Sequence, residues 1–228
     1  MGEAAKEHMR GHRSRLRERF LKGGPDALAD YELLELILFL AIPRRDVKPL
    51  AKDLIARFGT YAAVLSADVE RLGAMPGLGD TAVAAIKSVQ ASALHLARVQ
   101  ARSQPVLDNW SAVSDYLQGV MGNMAREQFR LMFLDRKNKL ITDEVLSEGT
   151  IDHTAVYPRE VIRRALELDA GALILVHNHP SGDPSPSRAD ILMTKEISEA
   201  CDKVGVKVHD HIIVGKTGQA SFKELGLL

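Results

Sequence analysis

The hydrophobic pattern of this chain changes character near residue 103, and that change constrains the fold more than any other feature. Between residues 28 and 102, apolar residues recur every three or four positions, as in Leu33, Leu34, Ile37 and Leu38. This periodicity is typical of amphipathic helices. Beyond it, strand-like apolar runs alternate with helical segments, which is typical of an α/β domain. The sequence therefore predicts two domains, an all-α domain followed by an α/β domain.

The predicted boundaries follow from charge and from turn signals. Residues 1–22 carry seven Lys and Arg against three Glu, so we expect a basic and flexible N-terminus. Residues 23–102 are predicted to form four or five short helices, interrupted at Pro43, at Gly59 and at the run PGLG. The polar run RSQPVLDNW ends this domain and begins a linker, so the second domain is predicted to occupy residues 103–228.

Periodicity also predicts the elements of the second domain. In chain order they are a helix over 111–120, strands over 128–134 and 140–145, a helix over 158–168, a buried strand over 171–176, a helix over 187–203 and a strand over 206–214. His209 and His211 lie within the last strand, without a loop or a carboxylate at a matching offset. We assign both to the core or to hydrogen bonds with other residues of a site.

Composition excludes several classes of protein. The chain has 30 basic and 30 acidic residues, so its formal net charge is zero. Its single cysteine, Cys201, excludes an intrachain disulfide, fits a reducing cytoplasm and is assigned to the buried face of its helix. The longest apolar run is far shorter than the ~20 residues of a membrane span, and the N-terminal residues lack the apolar stretch of an export signal. We therefore expect a cytoplasmic protein that is not inserted in a membrane.

The residues that carry chemistry lie in the run VHNHPSGDPSPSRAD, residues 176–190. Residues at i and i+2 of a strand point to the same side, so His177 and His179 can converge on one ion. The proline-rich loop that follows is stiff and leads to a helix whose first turn contains Asp190. Two histidines and one carboxylate are the three protein ligands of a catalytic zinc site, which leaves one position for water.

Taken alone, two of these residues also have a structural explanation. Ser187 and Asp190 fit the pattern [ST]-x-x-[DE], a capping box that satisfies free N–H groups at a helix start. The residues alone leave both interpretations open.

The spacing of the motif resembles a known family of enzymes. His177-x-His179, seven residues, Ser187, two residues and Asp190 match the JAMM (MPN-type) metalloprotease motif. The longer runs HNHPSGDPSPS, YPRE, DHIIV and SFKELGLL resemble the bacterial RadC family, and the resemblance extends over the chain from Arg17 onward. It implies a JAMM/MPN domain with a cytidine-deaminase-like mixed sheet, behind a helix-hairpin-helix-like domain.

The resemblance also implies roles for individual residues. Zn²⁺ would be held by His177, His179 and Asp190, and Ser187 would donate a hydrogen bond to the oxyanion of the reaction. Glu127, at the start of an early strand, matches the glutamate that acts as general acid and base in JAMM enzymes. Glu160 is the competing candidate, although an acidic residue in the first turn of a helix is also favoured by the helix dipole.

The helical domain carries a second motif. The run MPGLGDTA, residues 75–82, resembles the hairpin of a helix-hairpin-helix module, in which Gly77 and Gly79 would let backbone N–H groups approach a DNA phosphate. A tight turn between two helices explains the same glycines equally well.

Two functions are therefore expected from the sequence. The first is a zinc-dependent hydrolase that acts on amide or isopeptide-like bonds of a peptide or protein substrate. The alternative is a DNA-binding accessory or repair protein that retains the metal site without significant peptidase turnover. A zinc deaminase is excluded because its Pro-Cys-x-x-Cys run needs two cysteines.

Overall fold

The computed structural model of the chain describes residues 3–149 and 156–228. The chain forms two compact units, Met1–Ala93 and Leu94–Leu228. The first is helical and the second contains a mixed sheet with helices, which confirms the predicted fold class. Among the described residues, none of the helices is both long enough and apolar enough to cross a membrane.

The first unit is built from helices whose apolar faces meet in one core. Its elements are α1 (Glu3–Gly23), a 3₁₀ turn (Pro25–Ala27), α2 (Asp30–Ala41), α3 (Lys48–Phe58), α4 (Tyr61–Ser66), α5 (Val69–Gly73) and α6 (Asp80–Arg102). Leu34, Leu38, Leu54 and Ile86 are fully buried in the core between them. Residues 28–102, all of which are described, thus contain five α-helices, in agreement with the predicted four or five.

The N-terminal segment differs from the sequence expectation. Residues 1–22 are predicted to be flexible, whereas α1 begins at Glu3 and is attached to the rest of the first unit. Leu16 is buried, and the imidazole of His12 lies 2.8 Å from the buried carboxylate of Glu35. Arg13 donates to the main-chain carbonyls of Ile42 and Arg45. These contacts hold one face of the helix, so the basic residues do not make it a frayed tail.

The boundary between the units also differs from the expectation. The second domain is predicted to begin at residue 103, whereas the compact units divide between Ala93 and Leu94, inside α6. The physical reason is that the last turns of α6 belong to the second core. Ala101 is fully buried there, and Arg98 donates a hydrogen bond to Asp143 of the second unit.

The second unit is a five-stranded sheet in the order β2-β1-β3-β4-β5. Its elements are α7 (Trp110–Met121), β1 (Glu127–Leu134), β2 (Leu140–Gly149), α8 (Pro158–Glu167), β3 (Ala172–Asn178), α9 (Arg188–Asp202), β4 (Lys207–Val214) and β5 (Gln219–Ser221). β3 and β4 are parallel neighbours joined through α9, and the other neighbouring pairs are antiparallel. The three-residue β5 has no counterpart in the sequence prediction.

The topology gathers several polar side chains at one end of the sheet. β3 is buried along its whole length, as its continuous apolar run predicts, and it ends at His177 and Asn178. Because β1 runs antiparallel to β3, its first residues lie at the same end, with Phe129 paired to His177. The loop after β3 returns the chain to α9, whose N-cap is Ser187. The starts of β1 and α9 therefore meet the end of β3.

Candidate metal centre

Three candidate ligands converge at the end of β3. The Nε2 atoms of His177 and His179 are 3.0 Å apart. Asp190 presents Oδ1 at 3.3 Å from Nε2 of His177, and Oδ2 at 3.6 Å from Nε2 of His179. Asp190 and His177 are buried and His179 is partly exposed, so the cluster opens to solvent on one side.

The spacing of these donor atoms fits a small divalent cation. A tetrahedral ion about 2.1 Å from each ligand holds the ligand atoms about 3.4 Å apart. The two imidazole nitrogens are 3.0 Å apart, and they lie 3.3 and 3.6 Å from the two oxygens of the carboxylate, so the separations bracket that value. Two nitrogen donors and one oxygen donor are also the set that zinc accepts in open catalytic sites. The residues present therefore fit the metal that the sequence motif implies.

Asp190 is both the helix cap and a member of the cluster. Its Oδ2 accepts a hydrogen bond from the backbone N–H of Ser187 at 2.8 Å, and its own N–H donates to Oγ of Ser187 at 3.2 Å. This is the reciprocal capping box that the sequence allows. The remaining oxygen, Oδ1, faces His177. The two interpretations of Asp190 are thus compatible, because one carboxylate has enough lone pairs for both.

The tautomer of His179 is set by its loop. Nδ1 of His179 lies 2.8 Å from the main-chain oxygen of Asp183. A carbonyl oxygen can accept but cannot donate, so Nδ1 carries the proton and donates to it. This leaves Nε2 with a free lone pair that points into the cluster.

A buried chain of hydrogen bonds sets the tautomer of His177. The hydroxyl of Thr194 donates to the carbonyl oxygen of Asp190 at 2.6 Å. The hydroxyl oxygen of Thr194 also lies 2.6 Å from Nδ1 of His211. Since the hydroxyl has one proton, His211 must donate from Nδ1 and accept at Nε2. That Nε2 is 2.8 Å from Nδ1 of His177, which must therefore donate. The chain leaves the lone pair of His177 on Nε2, towards the cluster.

The protonation of the cluster reflects this convergence of acceptors. Burial by itself raises the pKa of Asp190, but the neighbouring imidazoles of His177 and His179 outweigh burial and bring that pKa well below its usual range. The hydrogen bond with Asp190, and then the one with the Asp183 carbonyl, raise the pKa of His179. Three lone pairs that meet at one point favour a cation there, which is either a proton on His179 or a metal ion.

His211 is held neutral by its surroundings. Its side chain is fully buried, and this burial lowers its pKa well below the usual value. The ring of Phe222 stacks on it at a centroid distance of 4.6 Å, and Phe129 stacks on His177 at 6.1 Å. Aromatic rings thus exclude water from the inner side of both imidazoles. The prediction that His211 supports other site residues is confirmed by these contacts, whereas His209 lies apart and bonds Asn138.

The two candidate glutamates have different surroundings. Glu127 is the first residue of β1, on the same face as Phe129, and its charge contributes to raising the pKa of His179. Glu160 is in the first turn of α8, where it pairs with Arg159 and Arg163 on the surface. Glu127 therefore lies at the same end of the sheet as the cluster, whereas the carboxylate of Glu160 is engaged by two arginines of its own helix.

The hairpin glycines belong to the first unit and are described separately. Gly77 has a φ of 83°, a left-handed conformation that favours glycine. Its carbonyl oxygen accepts a hydrogen bond from the exposed guanidinium of Arg45 at 2.7 Å. Gly79 precedes α6, and its carbonyl accepts from Ala82 and Val83 of the first turn. The motif thus forms a tight turn between two helices, with one cation beside it.

Sequence reasoning assigns no role to Thr194 or Asn178, although Thr194 contacts His211 and Asn178 contacts the backbone beside Glu127. Thr194 lies four residues after Asp190 on α9, so helical spacing could have placed both on the face that meets the sheet. Asn178 lies between the two histidines, and its amide contacts the backbone on either side of Glu127. No signal in the sequence marks that contact, because it depends on the pairing of β1 with β3.

Comparison with known proteins places this fold and site in a recognised class. Residues 107–227 match the family described as the RadC-like JAB domain, and residues 10–84 match the family described as the UPF0758 N-terminal domain. The chain therefore contains a JAB domain of the RadC-like type behind a family-specific helical domain.

Curated relatives define the family more closely. A UPF0758 protein of Ruegeria pomeroyi is 53% identical over 221 residues, which cover 97% of this chain and 99% of that protein. A UPF0758 protein of Rhodobacter capsulatus is 55% identical over 213 residues, which cover 93% of this chain and 100% of that protein. The chain belongs to the UPF0758 family of RadC-like JAB-domain proteins, as the resemblance seen in the sequence implies.

Proposed function

We propose that this protein is a zinc-dependent hydrolase of amide or isopeptide-like bonds in a peptide or protein substrate. The observation that carries the proposal is the convergence of His177, His179 and Asp190, with both imidazoles held in the tautomer that presents Nε2 to the cluster. A structural role for these residues would need neither the shared focus nor the fixed tautomers.

Each residue would have a distinct task in this reaction. His177, His179 and Asp190 would hold the zinc ion, which when bound lowers the pKa of a water molecule and polarises a carbonyl group. Glu127 would accept a proton from the attacking water at its carboxylate and pass it to the leaving amine. This task requires a carboxylate beside the ligands that is free of the metal, and Glu127 at the start of β1 is the residue to which we assign it.

Ser187 would assist from the helix start. Its Oγ accepts the N–H of Asp190, so the hydroxyl proton remains available to donate to a developing oxyanion. Ser187 and Ser185 of the preceding loop are both exposed, which leaves space for an extended substrate at this side of the cluster.

The metal ligands can be tested without knowledge of the substrate. Wild-type protein is expected to bind one zinc ion per chain by elemental analysis, whereas His177→Ala and Asp190→Asn are expected to lose it. Asp190→Asn is informative because asparagine can still accept the N–H of Ser187 in the capping box, so a loss of zinc would follow from the missing charge. His209→Ala is the matched control and should keep full stoichiometry. Full zinc binding by Asp190→Asn would exclude the proposed ligand set.

The hydrolase itself is tested by turnover. A screen of peptide and isopeptide-linked substrates, with a chelator as control, should reveal cleavage that Glu127→Gln abolishes while zinc is retained. Glu160→Gln is the matched control and should remain active. Equal activity of the two variants would contradict the role of Glu127.

DNA binding is a second proposal, supported by the exposed Arg45 beside the hairpin at Gly77. Phosphate contacts would make binding to duplex DNA weaken steeply with added salt, and Arg45→Gln would reduce that dependence. Binding that is insensitive to salt would exclude this role. DNA binding that persists in Glu127→Gln, without any hydrolysis by the wild type, would favour an accessory protein over an enzyme.

A further inference from the structure

The side chain of Asn178 makes two hydrogen bonds to the backbone around Glu127. Its Oδ1 accepts from the N–H of Gln128 at 2.9 Å, and its Nδ2 donates to the carbonyl oxygen of Arg126 at 3.0 Å. Asn178 is 1% exposed, and its bond to Gln128 is buried whereas its bond to Arg126 is partly buried. The backbone on each side of Glu127 is therefore tied to one amide.

These bonds occur where the strand pairing ends. The pairing of β1 with β3 ends at the pair Phe129 and His177, and Glu127 lies two residues beyond it, at the start of β1. Beyond this point, the N–H of His179 donates to the carbonyl of Val214 on β4. The amide of Asn178 thus extends the contact between β1 and β3 by one step, past the last paired residues.

The side chains alternate across β3 in a way that links this contact to the cluster. His177 and His179 point to one face of the strand, and Asn178 points to neither imidazole because it occupies the position between them. Glu127 is on the same face of its own strand as Phe129, which stacks on His177. A bond at the intervening position therefore fixes the backbone of Glu127 without occupying the space in front of the histidines.

We infer that Asn178 is a positioning residue for Glu127, which holds the carboxylate beside the metal ligands. The inference rests on the proposed function, in which Glu127 transfers the proton. It assigns to the central residue of His177-Asn178-His179 a task that the metal site itself does not require.

An amide is the side chain that can make both bonds. The backbone N–H of Gln128 only donates and the carbonyl of Arg126 only accepts, so the partner must offer one acceptor and one donor. Aspartate at this position would keep the acceptor and lose the donor. Leucine has nearly the same shape and would lose both.

The position of Glu127 can be measured without a substrate. Full-length protein with ¹³C-labelled glutamate carboxyl carbons is loaded with Co²⁺ alone or with Zn²⁺ alone, and the paramagnetic shift of Glu127 is taken as the difference. The resonance is assigned by its loss in Glu127→Gln. Because the shift falls with the cube of the distance to the ion, it should drop severalfold in Asn178→Ala and in Asn178→Leu, which preserves the volume. A shift equal to that of the wild type in either folded variant would overturn the inference.

The hydrogen bond itself gives a second readout. Exchange of the Gln128 amide proton in the zinc-loaded protein should be roughly tenfold faster or more in both variants, because local opening no longer breaks that bond. Asn109→Ala is the matched control, since Asn109 also donates from its side chain to a backbone carbonyl, that of Gln100. It should change neither the paramagnetic shift nor the exchange of Gln128. Unchanged exchange of Gln128 in Asn178→Ala would also overturn the inference.

Failure of this inference can be distinguished from failure of the proposed function. With the inference correct, Asn178→Ala keeps one metal ion per chain and loses most of the turnover of the wild type. Wild-type protein that binds no metal, or Glu127→Gln that stays active, would instead refute the proposed function. A normal Glu127 shift in Asn178→Ala, with metal bound, would refute the positioning role alone.

Discussion

Replacement of Thr194 by valine is expected to weaken zinc binding without removing a ligand. The hydroxyl of Thr194 is the acceptor that obliges His211 to donate from Nδ1, and His211 in turn obliges His177 to present Nε2. In Thr194→Val this acceptor is lost. In the metal-free variant, His211 can then carry its proton on Nε2 and donate to Nδ1 of His177. The proton of His177 is then on Nε2, the nitrogen that faces the metal ligands.

The size of the effect follows from the burial of His211. Zinc binding needs the bare Nε2 of His177, so it must return His211 to the tautomer whose Nδ1–H no longer has a partner. His211 is 0% exposed, and an unpaired buried donor costs about 1–3 kcal/mol. That free energy corresponds to a loss of roughly 5- to 150-fold in affinity. Residues that orient metal-bound histidines in other proteins contribute about 10- to 100-fold, which is the same range.

The assay is a competition titration with a chromophoric zinc chelator at neutral pH, accompanied by thermal unfolding of the metal-free proteins. Thr194→Ser keeps the hydroxyl and should bind zinc nearly as the wild type does. Thr142→Val, on β2, makes the same chemical change away from the cluster and should also leave the affinity unchanged. Wild-type affinity in Thr194→Val, with a folded metal-free protein, would refute the tautomer argument.

Three further outcomes are expected. Asp143→Asn should lower the free energy of unfolding in urea by about 3–5 kcal/mol, because it leaves Arg98 and Arg130 without their buried carboxylate. Hydrogen bonds from Tyr116 and Arg98 outweigh burial and lower the pKa of Asp143 below its ordinary value of 3.8. The stabilisation is therefore present above pH 3.8 and disappears as the pH falls through the lower folded-state pKa, so the free energies of unfolding of the wild type and Asp143→Asn should converge in acid. Gly77→Ala should cost about 1–2 kcal/mol in thermal unfolding because φ is +83° there, whereas Gly73→Ala, with open space around its Cβ position, should not destabilise. Zinc affinity should decline as the pH falls below neutrality, since the raised pKa of His179 lets protons compete for Nε2, and an affinity that is constant over this range would contradict it.

The elements of the second unit could be predicted because their signals are local. The continuous apolar run before His177 is typical of a buried central strand, and β3 is buried on both faces. Pro158 opens α8 at its first position, as proline with its fixed φ and missing N–H commonly does. The spacing of His177, His179 and Asp190 likewise predicts a cluster from the geometry of one strand and one helix start.

The rest depends on contacts between segments that are distant in the sequence. His211 reaches His177 across the parallel pair of β3 and β4, whose register shifts between Leu173 and Ile174, and no pattern in either strand encodes that shift. The helical character of α1 was missed for a different reason. Its charged residues suggest a solvated tail, while Leu16 and the hydrogen bond of His12 with the buried Glu35 supply its attachment. A few buried contacts are enough to hold a helix whose overall composition is polar.

The capping box and the candidate metal site share Asp190 for a physical reason. A helix start presents free N–H groups and the positive end of the helix dipole, and both stabilise the ionised form of a carboxylate in the first turn. Asp190 uses Oδ2 for the N–H of Ser187, which fixes the rotation of the carboxylate and leaves Oδ1 beside His177. The same cap therefore orients a ligand at no expense to the helix. A carboxylate in a loop would lack this restraint. The stiff proline-rich segment before Ser187 therefore needs only to place the start of α9, and the helix itself orients Asp190.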